Sequence, residues 1–349
     1  TTHEFVDRAG ALADKLVACE TLPELVAAIA RPRTIILMVP AGQPVDDQIA
    51  ALRPLLDDDD LIIDAGNANF RDTIRRATAA ERAGVPFLGI GVSGGEEGAR
   101  HGPSIMGGGP RAAWGRVAHI LTAISARYGD VPCATWMGSD GAGHFVKAVH
   151  NGIEYADMQM IAEIYGVMRD GQGREAAGIS GVFDNWNRGI LKSYLIEISA
   201  AVSAATDAET GRPVLDIILD RAGQKGTGRW TVIEALKLGQ SASTIEAAIA
   251  ARAWSSEKDA RQAAETLLTQ DSQDAEIPRE TDFEQAMLAG RILSHAQGFR
   301  LLQAASEEFD WGLDLGRIAE IWRAGCIIRS VLLDDFAAAL RGDMPFGHM

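Results

Sequence analysis

Four residues at helical spacing carry the densest chemistry in this sequence: Lys147, His150, Asn151 and Glu154. With about 3.6 residues per helical turn, positions 147, 150, 151 and 154 fall on nearly the same face. The opposite side, including Phe145, Val149 and Ile153, is mostly apolar. A lysine with a glutamate two turns away can supply one base and one acid once partial burial shifts each pKa. The same pattern also describes ordinary charge pairing on an exposed helix. Spacing alone leaves both readings open.

Two glycine patterns upstream need sorting. Gly89-Ile90-Gly91-Val92-Ser93-Gly94 matches the GxGxxG dinucleotide fingerprint, which requires a strand before it and a helix directly after. The strand is expected, but Gly95-Glu96-Glu97-Gly98 stands where an apolar helix is required. Gly91-Val92-Ser93-Gly94-Gly95 also fits GxSxG, the nucleophile elbow of hydrolases, and fails on the same missing helix. A glycine turn at a strand end, where backbone can approach a ligand closely, accounts for both. The seven histidines are scattered. His144 and His150 face different sides of a helix, and no HExxH or Cys/His cluster exists, so no metal site is expected.

The elements that must position these residues come in two styles. Residues 34–39 are a continuous apolar run ended by Pro40-Ala41-Gly42; helical spacing follows over 45–56. Residues 61–63 are the next strand, ended by Asp64-Ala65-Gly66-Asn67, then a helix over 72–84 leads to a strand at 86–90. Apolar strands alternating with helices predict a parallel sheet covered on both faces, with ligands at the carboxyl ends of its strands. From Ser139 the pattern is helical, with Ser139-Asp140 as N-cap of a helix reaching about Arg169. Further helices are expected near 189–207, 214–222, 244–268 and 284–309. The fold expected is α/β plus all-α: a partial Rossmann-type domain over 1–139 and a helical domain for substrate and dimerisation over 140–349.

Charge and length narrow the function classes. The chain has 349 residues, about two domains' worth, and 33 basic against 48 acidic groups give a net charge of −15. Nucleic acid is an improbable partner for such a chain, because binding a phosphate backbone needs a basic face. No apolar run approaches the roughly 20 residues that span a bilayer, so no membrane contact is expected. Cys19, Cys133 and Cys326 are far apart with no CxxC, which fits a reducing cytoplasm. The start at Thr1 and the turn-like close suggest a piece of a longer protein.

Residues 93–106, SGGEEGARHGPSIM, and 150–155, HNGIEY, closely resemble the 6-phosphogluconate dehydrogenases. Blocks at 63–67 (IDAGN), 225–228 (KGTG), 294–299 (SHAQGF) and 323–329 (RAGCIIR) match in order, so the resemblance runs over essentially the whole chain. It implies oxidative decarboxylation of 6-phosphogluconate to ribulose 5-phosphate and CO2, with NADP or NAD as cofactor and a homodimer as the assembly. Lys147 is then the base that takes the 3-hydroxyl proton, Glu154 the acid that protonates C1, and Asn151 a third catalytic group. The resemblance further implies that Asn67, Ser93, Gly94, Gly95, His150 and Asn151 hold the carboxylate and hydroxyls. Tyr155, Lys225 and Arg252 would grip the 6-phosphate, for which cationic, forked donors are suited. Val39, Pro40, Ala41 and Asn67 would border the cofactor. Family members need no metal. Pro40 stands where some members have lysine, and Ala65 replaces a common glycine; neither change removes a catalytic group.

The same resemblance implies a first βαβ unit before Thr1, with the phosphate turn and the residues that choose NADP over NAD. It also implies a tail beyond Met349 that completes the partner's substrate site. A β-hydroxyacid dehydrogenase, which lacks the Lys225 and Arg252 grip, is the nearest rival. A catalytically inactive helical dimerisation module is the rival of a different class. On the expectation that the phosphate turn is missing, this chain alone would bind dinucleotide poorly and turn over little substrate.

Overall fold

The computed structural model describes residues 1–223, 226–267 and 278–342. Two short helices, α1 (Thr2–Arg8) and α2 (Leu22–Ala28), lead into the sheet region. There β1 (Thr34–Leu37), α3 (Gln43–Leu52), β2 (Leu61–Asp64), α4 (Phe70–Arg82) and β3 (Phe87–Ser93) alternate. They are followed by α5 (Gly95–His101), β4 (Ser104–Gly108), α6 (Arg111–Ile124), a small hairpin of β5 (Arg127–Tyr128) and β6 (Val131–Pro132), and β7 (Ala134–Gly138). The main sheet has five strands in the order β1-β2-β3-β4-β7. Strand β2 is buried along its whole length because both faces are covered. Leu61 and Ile63 pack with Trp114 and Leu121 of α6, while Ile62 packs with Val45 and Leu52 of α3.

The sheet is parallel except at one pairing: β4 runs antiparallel to β3. The parallel sheet expected from the sequence is present, with this one pairing reversed. Only residues 94–103 join these two strands, and a parallel crossover needs a dozen or more residues. A correction concerns that same stretch, where a helix does follow Ser93. Gly94 caps it in a left-handed conformation (φ 111°), Glu96 and Glu97 fill the first turn, and Arg100 and His101 the last. These charges suit the helix dipole, so a helix with no apolar face forms and is invisible to an apolar-period search.

The second half is built around α7 (Ala142–Gly166), which is about 37 Å long. Around and beyond it lie α8 (Ala176–Trp186), α9 (Tyr194–Ala204), α10 (Val214–Ile217), α11 (Thr227–Lys237), α12 (Ser243–Ser256), α13 (Lys258–Leu267), α14 (Glu280–Glu308), α15 (Leu315–Ile321) and α16 (Leu332–Arg341). Among the described residues of this half, extended pairing is confined to two isolated bridges. Helix α7 packs on α11, α12 and α14 and, across the join, on β3 and β4. Its start differs from the expected Ser139-Asp140 cap: Gly141 is the capping position and Asp140 takes a left-handed φ of 47°. Glycine is required at that position by packing, since a Cβ at Gly141 would lie 2.6 Å from the Phe70 carbonyl oxygen. The helix expected at 214–222 shrinks to one turn that buries no side chain. The one expected at 244–268 breaks at Glu257 into α12 and α13.

Candidate active site

Strands β1, β2 and β3 end in the loops 39–42, 65–69 and 94–95, which converge on the buried first half of α7. They surround one open cavity of about 1440 Å³. Its lining runs from Val39, Pro40 and Ala41 past Asn67, Ser93, Gly94 and Gly95 to Lys147, Asn151, Glu154, Tyr155 and Arg252. Of the residues picked from the sequence, His150 lies behind this lining, fully buried. Lys225 falls outside the described residues.

Lys147 reaches this cavity because β3 lets α7 come very close. A Cβ at Gly91 would stand 2.4 Å from Cβ of Lys147, so only glycine allows this approach. The Lys147 Nζ donates to Asn151 Oδ1 at 2.7 Å and to Ser93 Oγ at 3.0 Å, and lies 3.4 Å from His150 Nδ1. Burial pushes its pKa down from 10.5 to about 8, while the Glu154 carboxylate and Cys326 pull it back up. Burial, and then the neighbouring Lys147, hold the His150 imidazole well below its usual value of 6.5. His150 is therefore a neutral, polar wall rather than a charge. Asn151 is itself oriented: its Nδ2 donates to Thr227 Oγ1 at 3.0 Å.

The helix after Ser93 reopens the hydrolase elbow, and the geometry closes it again. Ser93 Oγ lies 3.3 Å from His150 Nε2, but His150 Nδ1 sits 3.1 Å from Asn151 Oδ1 and 3.8 Å from Glu154 Oε2. A serine–histidine–acid relay needs a carboxylate at hydrogen-bonding distance from that nitrogen. An amide occupies the place.

At the far end of the cavity the Arg252 guanidinium lies 3.7 Å from the Tyr155 ring centroid. It donates to the Gly223 carbonyl at 2.8 Å and contacts Met158 Sδ at 3.3 Å. Sequence reasoning missed Thr227, Trp230 and Ile327, which also line the cavity. For Thr227 the signal was present. Gly226 takes a left-handed φ of 102° and starts α11, so Gly-Thr-Gly before an apolar period was a helix start rather than a loop. Among the described residues no group of three acidic, cysteine or histidine side chains is placed to hold a metal ion. No helix among them is long and apolar enough to cross a membrane.

A sheet of dinucleotide-binding type whose strand ends open onto a buried lysine defines a nicotinamide-dependent dehydrogenase. Residues 2–138 match the NAD binding domain of 6-phosphogluconate dehydrogenase, and residues 143–346 match the C-terminal domain of the same enzyme. The chain belongs to the 6-phosphogluconate dehydrogenase family. It is 49% identical to the decarboxylating 6-phosphogluconate dehydrogenase of Chlamydia pneumoniae over 325 residues, 92% of this chain and 68% of that protein. It is 48% identical to the human enzyme over 324 residues, 91% of this chain and 67% of that one. The solved Plasmodium falciparum 6-phosphogluconate dehydrogenase superposes with a TM-score of 0.92 at 42% identity, covering 98% of this chain and 74% of that one. A 3-hydroxyisobutyrate dehydrogenase of Mycobacterium tuberculosis, at 19% identity and a TM-score of 0.51, covers 80% of this chain and 88% of that one. That likeness shows the fold alone.

Proposed function

We propose that this chain oxidises 6-phosphogluconate at C3 and releases its carboxylate as CO2, forming ribulose 5-phosphate. The observation that carries this reading is Lys147, buried, held near pKa 8 and aimed by Asn151 and Ser93 into the cavity. An amine of that pKa is substantially neutral near pH 8 and can take the 3-hydroxyl proton. NADP or NAD, when bound, supplies the hydride acceptor.

The loops 39–42 and 65–67 fit that role on their own chemistry. They are small-residue segments at the carboxyl ends of adjacent parallel strands, and a Cβ at Gly66 would lie 3.1 Å from the Val39 carbonyl oxygen. A flat ring can lie close to such a floor. We assign Val39, Pro40, Ala41 and Asn67 to this side. Ser93, Gly94, Gly95, Asn67 and Asn151 hold the carboxylate and hydroxyls of the sugar acid, and His150, expected among them from the sequence, backs Ser93 and Asn151 from behind the lining. Tyr155 and Arg252, with Lys225, hold the phosphate.

The proton bookkeeping then follows from the two ends of one helix face. Lys147 removes the 3-hydroxyl proton as hydride leaves C3, and the resulting ketone lies β to the carboxylate. The C1–C2 bond breaks, its electrons pass into the enediol, and the ammonium of Lys147 stabilises the oxyanion. Glu154, two turns along α7, delivers a proton to the carbon that lost CO2. We read the protein as cytoplasmic and homodimeric, with a dinucleotide unit over 1–139 and a substrate unit over 140–349. Incubation with 6-phosphogluconate and NADP in deuterated water tests the reading. One deuterium at C1 of ribulose 5-phosphate, with equal CO2 and reduced nicotinamide, is expected. Reduced nicotinamide without CO2 would overturn it.

A further inference from the structure

Helix α4 is strongly polar, yet it buries Phe70, Thr73 and Arg76 on one face, three residues apart. The Arg76 side chain is 2% exposed and sits beneath the two loops just assigned to the dinucleotide. Its Nη2 donates to the Gly42 carbonyl at 2.9 Å, and its Nε donates to Asp46 Oδ1 at 2.9 Å in the first turn of α3. Nη1 reaches Asp64 Oδ2 at 3.5 Å, at the end of β2. The other oxygen of that fully buried carboxylate accepts the Gly66 amide at 3.1 Å. One planar, five-donor cation thus ties loop 39–42 directly, and loop 65–67 through Asp64. No lysine can reproduce that fork.

The same face registers both loops against the catalytic helix. One turn before Arg76, Thr73 Oγ1 lies 2.7 Å from Nδ1 of His144, itself one turn before Lys147. Both residues are buried. The Asp46 carboxyl, bonded by Arg76 and then by Arg75, is held at about 2 and so keeps its charge. Arg75 makes a useful contrast. It also pairs with Asp46, at 2.8 Å, but is 57% exposed, and no hydrogen bond joins it to Gly42 or Asp64.

We propose that Arg76 is a positioning residue for the dinucleotide side of the site, holding loops 39–42 and 65–67 in register from beneath. This rests on the reading of those loops as dinucleotide-facing. Loss of a hydrogen bond to a charged group shifts an equilibrium by about tenfold. Arg76→Lys is therefore expected to raise KM for NADP about tenfold, with a smaller rise in KM for 6-phosphogluconate because Asn67 also faces the sugar acid, whereas Arg75→Lys changes neither.

Amide hydrogen exchange on the same proteins gives a readout that needs no ligand. In Arg76→Lys, exchange should accelerate in both loops while β2 and β3 stay protected. Should Arg76→Lys fold poorly, Asp46→Asn removes one partner only and is expected to loosen 39–42 but not 65–67. Wild-type exchange in both loops overturns the proposal, and so does acceleration spread evenly through β2 and β3. If the wild type binds no dinucleotide while the loops still loosen, the dinucleotide reading fails and Arg76 remains only a loop anchor. An equal rise in both KM values contradicts the selectivity claimed for Arg76.

Discussion

Asn151 accepts a hydrogen bond from Lys147 across 2.7 Å, one turn along the same helix, and passes its other amide group to Thr227. The Lys147 amine is therefore aimed by a side chain anchored to a different helix. Truncation to Asn151→Ala should cost about 100-fold in turnover, the low end of what a positioned base contributes. Steady-state kinetics with 6-phosphogluconate at saturating NADP give the number. A loss below twofold would mean Ser93 alone suffices to hold the amine.

If Lys147 is the base proposed above, its protonation state sets the pH dependence. A base with a pKa of about 8 must lose its proton to work, so turnover should rise with pH through a limb near that value. Asn151→Asp places a carboxylate against the amine, favours the ammonium, and should move the limb to higher pH. A limb that stays put in the variant would assign it to another group.

Stability is linked to the same proton. The Lys147 pKa falls from 10.5 to about 8 on folding, so the folded state binds fewer protons between those values and stability rises with pH across that window. Below it the burial penalty is present in full. Lys147→Met should then be more stable than the wild type at pH 7, by up to roughly 3 kcal/mol, with the gain fading as pH rises from about 8 to 10.5. Denaturant titrations of both proteins at neutral and high pH check the sign.

Gly91 is a point of close approach between the sheet and α7. Alanine there would set its Cβ 2.4 Å from Lys147 Cβ and 2.8 Å from the Gly143 carbonyl oxygen. Overpacking of this kind costs about 1–3 kcal/mol. Gly91→Ala should lower the melting temperature and most of the turnover together, because α7 must move away from β3. Unchanged melting with unchanged turnover would show that the helix can shift freely.

Much of this was legible in the sequence, for identifiable reasons. The 147–154 stripe survives as a face of α7 because helical spacing alone determines which side chains share a side. Strands β1 to β3 were readable because both their faces are apolar. Helix α5 was not, since it is stabilised by end charges and glycine caps rather than by an apolar face. The reversal of β4 follows from a short connection, which composition does not reveal. Arg76 sits in a helix with Arg71, Arg75 and Arg82. Only the packing distinguishes the buried guanidinium from its exposed neighbours.

Whether Lys147 is the base is decided by a comparison of two proteins. Wild type and Lys147→Met are mixed with 6-phosphogluconate and NADP, and reduced nicotinamide and CO2 are followed together, with 6-phosphogluconate affinity measured by calorimetry. The wild type should form both products in equal amounts. Lys147→Met should form neither while still binding the sugar acid. Near-native turnover by Lys147→Met would show that another group takes the 3-hydroxyl proton.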